Sequence, residues 1–328
     1  MKFYALFICL LYCHIIVINC EAITFEKLLS NLKKDAKMKK LAIAGADNPE
    51  TLQTSRLAKD MKIGDSILIG NEVKIKAIAK EHNIDISDFT IVDFKDPIDI
   101  SRYAVKLVHD GICDVYVKGS LATRDVLKAV LDNEIGLRTN ELISLVGVFE
   151  INNKLVFITD PSVIPYPTLL NKVELINNAV KFAKSTGVEM PKVAAVTAID
   201  IANPRMPETL EAEELMEMNK RGEIKNCIVD GPLSLDLAMS PESAKIKNSN
   251  RRINGDADII LFPEVHSANI AYKILTYFSD AKSGNIIIGT RQPVILSSKS
   301  DSVETKLNSI ILGFTYEIFK AQAQSKKP

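Results

Sequence analysis

The sequence predicts an α/β fold, a mostly parallel sheet with helices on both faces. Short apolar, β-branched runs alternate along the chain with amphipathic stretches, which is the rhythm of strand–helix–strand units. The chain has 328 residues. At ~100–200 residues per domain this suggests two domains, one of which could be split. Apolar residues make up 47% and charged residues 25%, an ordinary globular balance and not a disordered one.

The first twenty residues stand apart from this rhythm. From residue 3 to residue 18 only His14 is not apolar; Lys2 precedes the run and Asn19-Cys20-Glu21-Ala22 follows it. That resembles a secretory signal peptide, and it is shorter than the ~20 apolar residues a spanning helix needs. Asn19 is too large for a lipoprotein site at Cys20. The alternative is an extension the folded unit does not use, with the start assigned too far upstream. No other stretch is long and apolar enough to enter a membrane.

Strands are expected at 41–44, 66–69, 114–117, 193–196, 227–229, 259–262 and 286–288, each bounded by Gly, Asp or Asn. Asn48 and Pro49 open a helix as cap and first residue. A second helix spans 207–220 and ends at Gly222. The last starts at Asp301 and carries Val303, Leu307, Ile310, Ile311, Phe314 and Ile318 on one face. Runs 145–150 and 154–159, joined through Asn152-Asn153, read as an antiparallel hairpin, because Asn tolerates positive φ. A hairpin within a parallel pattern marks a domain junction or an edge extension. The tail at 325–328 is expected to fray.

Several functions are excluded. Lys+Arg and Asp+Glu both number 41, so no basic excess favours nucleic acid. Three of the five cysteines lie in the first twenty residues, and Cys113 and Cys227 sit alone in apolar runs. This is neither a disulfide scaffold nor a four-cysteine zinc site. The four histidines are scattered, and no close pair suggests a metal. There is no Walker loop, GxGxxG or nucleophile elbow.

Four segments could carry chemistry. Segment 296–304 ends an apolar run in hydroxyls and Lys299 and opens the last helix. Asp301 and Glu304 stand there at capping-box spacing. Free N–H groups, the helix dipole and a lysine favour an anion; the alternative is an ordinary cap with a solvated lysine. Segment 117–123 places Lys118, Gly119 and Thr123 at the carboxyl end of a strand, where ligands gather in open α/β sheets. It could equally be a turn capped by Thr123. Segment 229–236 offers Asp236 after Gly231-Pro232, a pair that fixes a tight turn and starts a helix by default. Segment 256–269 puts Asp256 and Asp258 before a strand, with Glu264, His266 and Asn269 after it. A lone His266 there reads as a surface or capping residue. The loop 203–207 adds Arg205 as a further cation.

Taken in order, these segments resemble the phosphate acetyl/butyryl transferase family, nearest its butyryl branch. The resemblance rests on 118–123 with 127–131, Gly136-Leu137-Arg138-Thr139, 202–209, 218–222, 228–238, 257–273 and 293–311. It covers roughly residues 40 to 311. It implies two doubly wound α/β domains with a cleft between them, similar in shape to the isocitrate/isopropylmalate dehydrogenases. The first domain would be discontinuous, 23–145 with 290–328, and the second would span 146–289. It also implies exchange of a short acyl group, butyryl before acetyl or propionyl, between coenzyme A and phosphate. Members are typically cytoplasmic homo-oligomers, often dimers, and their chemistry requires no metal or redox cofactor. Residues 1–22 would then be an unused extension.

For this chemistry Ser298, Lys299 and Asp301 are expected to carry catalysis, Ser298 and Lys299 as donors to phosphate and oxyanion and Asp301 or Glu304 as the base. Lys118, Thr123, Arg138, Ser144, Arg205, Asp236, Glu264, Asn269 and Glu304 are assigned to substrate binding. Three departures from the family pattern stand out. Arginine is usual where Lys299 stands, and Ser-His is usual at Ser144-Leu145. The aspartate proposed as base in the acetyl branch falls near Thr305. A non-catalytic coenzyme A-binding paralogue is the alternative these departures raise.

Overall fold

The computed structural model describes residues 22–35 and 37–325. The signal-like segment before Ala22, with three of the cysteines and His14, lies outside the described residues, as do Lys326, Lys327 and Pro328 of the tail.

Eleven described strands form one sheet. They are β1 (Lys39–Ala44), β2 (Gly64–Gly70), β3 (Thr90–Asp93), β4 (Val115–Lys118), β5 (Ser144–Ile151), β6 (Lys154–Thr159), β7 (Lys192–Val196), β8 (Ile228–Leu233), β9 (Ile259–Leu261), β10 (Lys282–Ile288) and β11 (Val294–Ile295). The helices between them are α1 (Phe25–Leu32), α2 (Pro49–Asp60), α3 (Glu72–Glu81), α4 (Pro97–His109), α5 (Thr123–Val130), α6 (Leu169–Ser185), α7 (Pro207–Lys220), α8 (Leu235–Met239), α9 (Pro241–Ile246), α10 (Val265–Phe278) and α11 (Val303–Ser325). The order across the sheet is β3-β2-β1-β4-β11-β10-β5-β6-β9-β7-β8. Pairing is parallel except around β10, which runs antiparallel to β5 and β11, and between β5 and β6. A single residue pair, Ile287 with Val294, joins β10 to β11.

Successive side chains point to opposite faces, and helices cover both. Leu41, Ile43, Val115, Val117, Val146, Val148, Ile286 and Ile288 pack with Phe25, Leu52, Ile176, Phe182, Ile310 and Phe314 on one face. Their alternates Ala42, Ala44, Tyr116, Leu145, Ile287 and Val294 pack with Ala104, Val108, Val126 and Val130 on the other.

All seven expected strands form. β3 was not expected, because an edge strand that buries none of its residues carries no apolar run. The Asn48 carboxamide accepts the Thr51 N–H at 2.9 Å and caps α2. α7 ends before Gly222, which takes φ +78°. Asn152 and Asn153 both adopt positive φ in the hairpin turn. The hairpin is no edge extension, however. β5 and β6 lie between β10 and β9 in mid-sheet, and six of the eight β5 residues are buried.

Two local expectations are corrected. Gly231-Pro232 does not open a helix; it continues β8, and α8 begins at Leu235. The β7–β8 ladder shifts register just there, so the missing proline N–H costs no ladder bond. Asp301 does not cap α11. Ser302 does, its hydroxyl accepting the Thr305 N–H at 3.1 Å, while the Asp301 carboxylate turns back to the Ser298 N–H at 2.7 Å.

Candidate active site

Sheet register builds the site. One step beyond the Val117–Ile295 pair stand Lys118 and Leu296. Two residues from the Ile287–Val294 pair, Asn285 comes level with Leu296, and Asn285 is itself paired with Gly147. A Cβ on Gly147 would lie 2.7 Å from the Tyr272 ring, so α10 lays this tyrosine directly on the strand. One face therefore carries, across four strands, a lysine, a leucine, an amide and an aromatic ring over glycine. The next row down is Tyr116, Val294, Ile287 and Leu145.

Above these rows lies a cavity of about 430 Å³. Lys118, Lys273 and Lys299 line it, and Asp301 is its only carboxylate among the described residues. Leu121, Leu145 and Leu296 form its apolar part. Ala122 and Thr123 bring the start of α5, which has no side-chain cap; uncapped N–H groups and the dipole favour an anion there. Thr123 is thus not the cap that one reading of its turn expected.

The loop from Ser297 to Asp301 is held by buried lysines. Lys118 Nζ donates to the Ser297 carbonyl at 2.7 Å. Lys306 Nζ donates to the carbonyls of Ser298 at 3.1 Å and Asp301 at 2.6 Å. Burial lowers the Lys118 pKa to about 8, and repulsion from Lys299 and Lys306 adds to this against the pull of Asp301. Burial likewise lowers Lys306. Burial raises Asp301; the Ser298 N–H and the charges of Lys306, Lys273 and Lys118 act the other way. Ser297 Oγ and Asn285 Oδ1 are buried without a partner in the protein, which a bound substrate can remedy.

Of the residues assigned from sequence, the cavity brings together Ser298, Lys299, Asp301, Lys118, Thr123 and Asn269. The other six lie outside it. Ser144 is fully buried on the opposite sheet face and receives the Asn178 amide at 2.9 Å. Arg138 is exposed and donates to Asn133 at 3.0 Å. Arg205 is exposed in the loop before α7. Asp236 pairs with Lys247 at 2.9 Å; hydrogen bonds from Ser234 and Lys247 hold its pKa at about 2. Glu264 caps α10, accepting from Ser267 at 2.8 Å and His266 at 2.6 Å, and lines a second cavity of about 380 Å³. Glu304 lines a third pocket, which shares Asp301 with the first. His266 bonds Tyr166 at 3.0 Å. Cys113 and Cys227 are buried, which pushes their thiols up to about 12 and about 11. Among the described residues no group of three or more His, Cys, Asp or Glu is placed to hold a metal ion.

Known proteins place the chain in a family. The family profile described as phosphate acetyl/butaryl transferase matches residues 24–103 and 95–314. The chain belongs to this transferase family. It is 43% identical to a phosphate butyryltransferase of Clostridium beijerinckii over 88% of this chain and 96% of that one. It is 40% identical to a phosphate acetyltransferase of Thermotoga maritima over 89% and 99%. A branched-chain phosphotransacylase from Enterococcus faecalis V583 superposes with a TM-score of 0.76 at 33% identity, over 85% of this chain and 99% of that one. The fold is the dehydrogenase-like α/β architecture of the phosphotransacylases.

Within this transferase fold, Tyr272, Lys273, Asn285, Ser297, Pro161 and Ser162 line the cavity without having been assigned a role from the sequence. A signal existed for two. Asn269, Tyr272 and Lys273 stand at i, i+3 and i+4, so the helix that brings one to the cavity brings all three. Asn285 gave none, since its row depends on pairing with strands distant in sequence.

Proposed function

We propose that the cavity exchanges a short acyl group, butyryl first, between coenzyme A and inorganic phosphate. The observation that carries this reading is the cavity's mixed lining, three lysines and one carboxylate together with three leucines. Thioester and phosphate together demand both kinds of wall. A polyanion and a developing oxyanion need cations and donors, and an alkyl chain needs apolar wall.

In the synthetic direction an oxygen of hydrogen phosphate attacks the thioester carbon. The C–S bond breaks, the electron pair leaves on sulfur, and the phosphate proton ends on the thiol. The products are acyl phosphate and free coenzyme A. Lys118 and Lys299 hold the phosphate, with the start of α5 as further donor. Ser298 donates a neutral hydrogen bond. Asp301 carries the proton between phosphate oxygen and sulfur, and its raised pKa suits it to hold that proton in transit. The reaction needs no redox cofactor, since nothing is oxidised and the electron pair stays with sulfur, and the cavity lysines supply the positive charge the phosphate requires.

Two domains, 23–145 with 290–328 and 146–289, would close on the substrates. The sheet order supports this division. It puts β1 to β4 and β11 on one side and β5 to β10 on the other, joined in the sheet by one residue pair, with α11 packed across β10 through Asn308 and Ser309. A homodimer or higher homo-oligomer in the cytoplasm, where coenzyme A and acyl phosphates are made, completes the reading. Among the described residues no helix is long and apolar enough to cross a membrane.

The test is turnover of butyryl-CoA with phosphate, followed as free thiol. Release that depends on phosphate supports the reading; coenzyme A binding without release would make the chain a non-catalytic paralogue.

A further inference from the structure

We infer that Leu145, the deepest of the three leucines that line the cavity, is the floor on which the end of the acyl chain packs, and that its size sets the longest chain accepted. The inference rests on the proposed acyl exchange and goes on to name its specificity residue. Register supplies the depth. Lys118 and Leu296 share one side-chain row, and Leu145 stands one row below, opposite Ile287 and level with Val294. It nonetheless lines the same cavity, at 5% exposure.

The charged end of the reaction is fixed above it by Lys118, Lys299 and Ser298. A phosphate set against three leucines would lose its hydration for nothing. The pantetheine arm carries amides that need partners. The alkyl chain is the one part of either substrate that gains from leucine contact. With the acyl carbon at the lysine row, the chain points down to Leu145.

The floor is also rigid. Ile287 and Val294 beside Leu145 are wholly buried. The Asp160 carboxylate takes the N–H groups of Ser162, Val163 and Ile164, and so fixes the cavity wall that carries Pro161 and Ser162. A rigid floor measures length, whereas a soft one would yield.

The experiment measures kcat/KM for acetyl-, propionyl-, butyryl- and hexanoyl-CoA at saturating phosphate. One methylene in a fitted pocket is worth on the order of tenfold. Leu145→Ala should raise the hexanoyl-to-butyryl ratio at least about tenfold, and Leu145→Phe should lower the butyryl-to-acetyl ratio by a similar factor. The KM for phosphate should stay within about twofold in both, because the lysine row is untouched. Leu145→Val, a smaller deletion, should move the ratio the same way by a few-fold and decides the matter if the alanine variant does not fold. Ratios that stay flat while all four substrates fall together would overturn the inference and leave the acyl exchange standing. A wild-type chain that turns over none of the four would overturn both.

Discussion

Lys118 donates from the end of β4 to the Ser297 carbonyl at 2.7 Å, tying the middle of the sheet to the loop that leads into α11. The same ammonium lines the cavity, so one lysine both holds the loop and presents a charge to the substrate. Its pKa of about 8 gives that charge a pH limit.

Activity should follow Lys118. The folded-state pKa lies below the ordinary 10.5, so folding disfavours the charged form. The stability cost is fully present below about 8 and is relieved as pH rises toward 10.5. Phosphate binding goes the opposite way and is lost as the lysine discharges. The kcat/KM for phosphate should fall on the alkaline side with an apparent pKa near 8. In Lys118→Gln the value should be low throughout and that limb absent. A profile from neutrality to pH ~9.5 checks this; the same limb in both proteins would remove Lys118 from phosphate binding.

Gly147→Ala should damage the site from beneath. The new methyl would meet the Tyr272 ring at 2.7 Å, and that ring is packed edge-on against Phe149 at 5.0 Å. Overpacking of this kind costs about 1–3 kcal/mol. The ring must shift toward the cavity, so the KM for acyl-CoA should rise along with the loss of stability. Tyr272→Phe keeps the packing and removes only the hydroxyl, and should leave denaturant stability almost unchanged. Equal stability of Gly147→Ala and wild type would show that the contact yields freely.

Most of the sheet was legible because its inner strands are continuous apolar runs between turn residues. The hairpin was legible because two asparagines mark its turn. What sequence could not supply was neighbourhood. Asn285 and Gly147 become site residues only when β10 lies against β5, a pairing across more than a hundred residues. The final helix misled for a related reason. Asp301 and Glu304 have the spacing of a capping box, but burial beside Lys306 and Lys118 draws Asp301 into the loop and leaves the cap to Ser302. Arg138, Arg205 and Asp236 follow strands or belong to matching motifs, yet each is exposed and outside the cavity that Lys118, Lys273 and Lys299 line. A strand end is necessary for such a site, but does not by itself direct a side chain into it.

Closure should be visible in solution. The proposed domains meet in the sheet through Ile287 and Val294 alone, α11 lies across β10 through Asn308 and Ser309, and the chain crosses between them near Ser144 and again at 289–293. Gly289 there adopts φ +92° with the Leu142 carbonyl pressed against it, a conformation few other residues share. Closing the cleft would exclude the water that hydrolyses acyl phosphate. Small-angle scattering with saturating coenzyme A and phosphate should show a smaller radius of gyration than the free protein. Superimposable curves would mean that the cavity works without domain motion.

Lys299 gives the sharpest test of the phosphate end. It is exposed, yet close enough to repel Lys118 and to line the same cavity. A lysine merely solvated at a helix start would be worth almost nothing when removed. One that meets phosphate or the developing oxyanion is worth ~3–4 kcal/mol in the transition state, a hundred- to a thousandfold in rate on the usual ~1.4 kcal/mol per decade. Lys299→Ala should therefore lose about that much kcat/KM and saturate poorly with phosphate, with the melting temperature nearly unchanged. Lys299→Arg should keep substantial activity, since the guanidinium retains the charge and adds a fork suited to phosphate. Ser298→Ala should lose less, because a neutral donor contributes about 0.5–1.5 kcal/mol. The order of the three variants carries the argument: a Ser298→Ala loss larger than that of Lys299→Ala would shift the catalytic burden from charge to the hydroxyl, and wild-type kinetics in Lys299→Ala would reduce this loop to a helix entry.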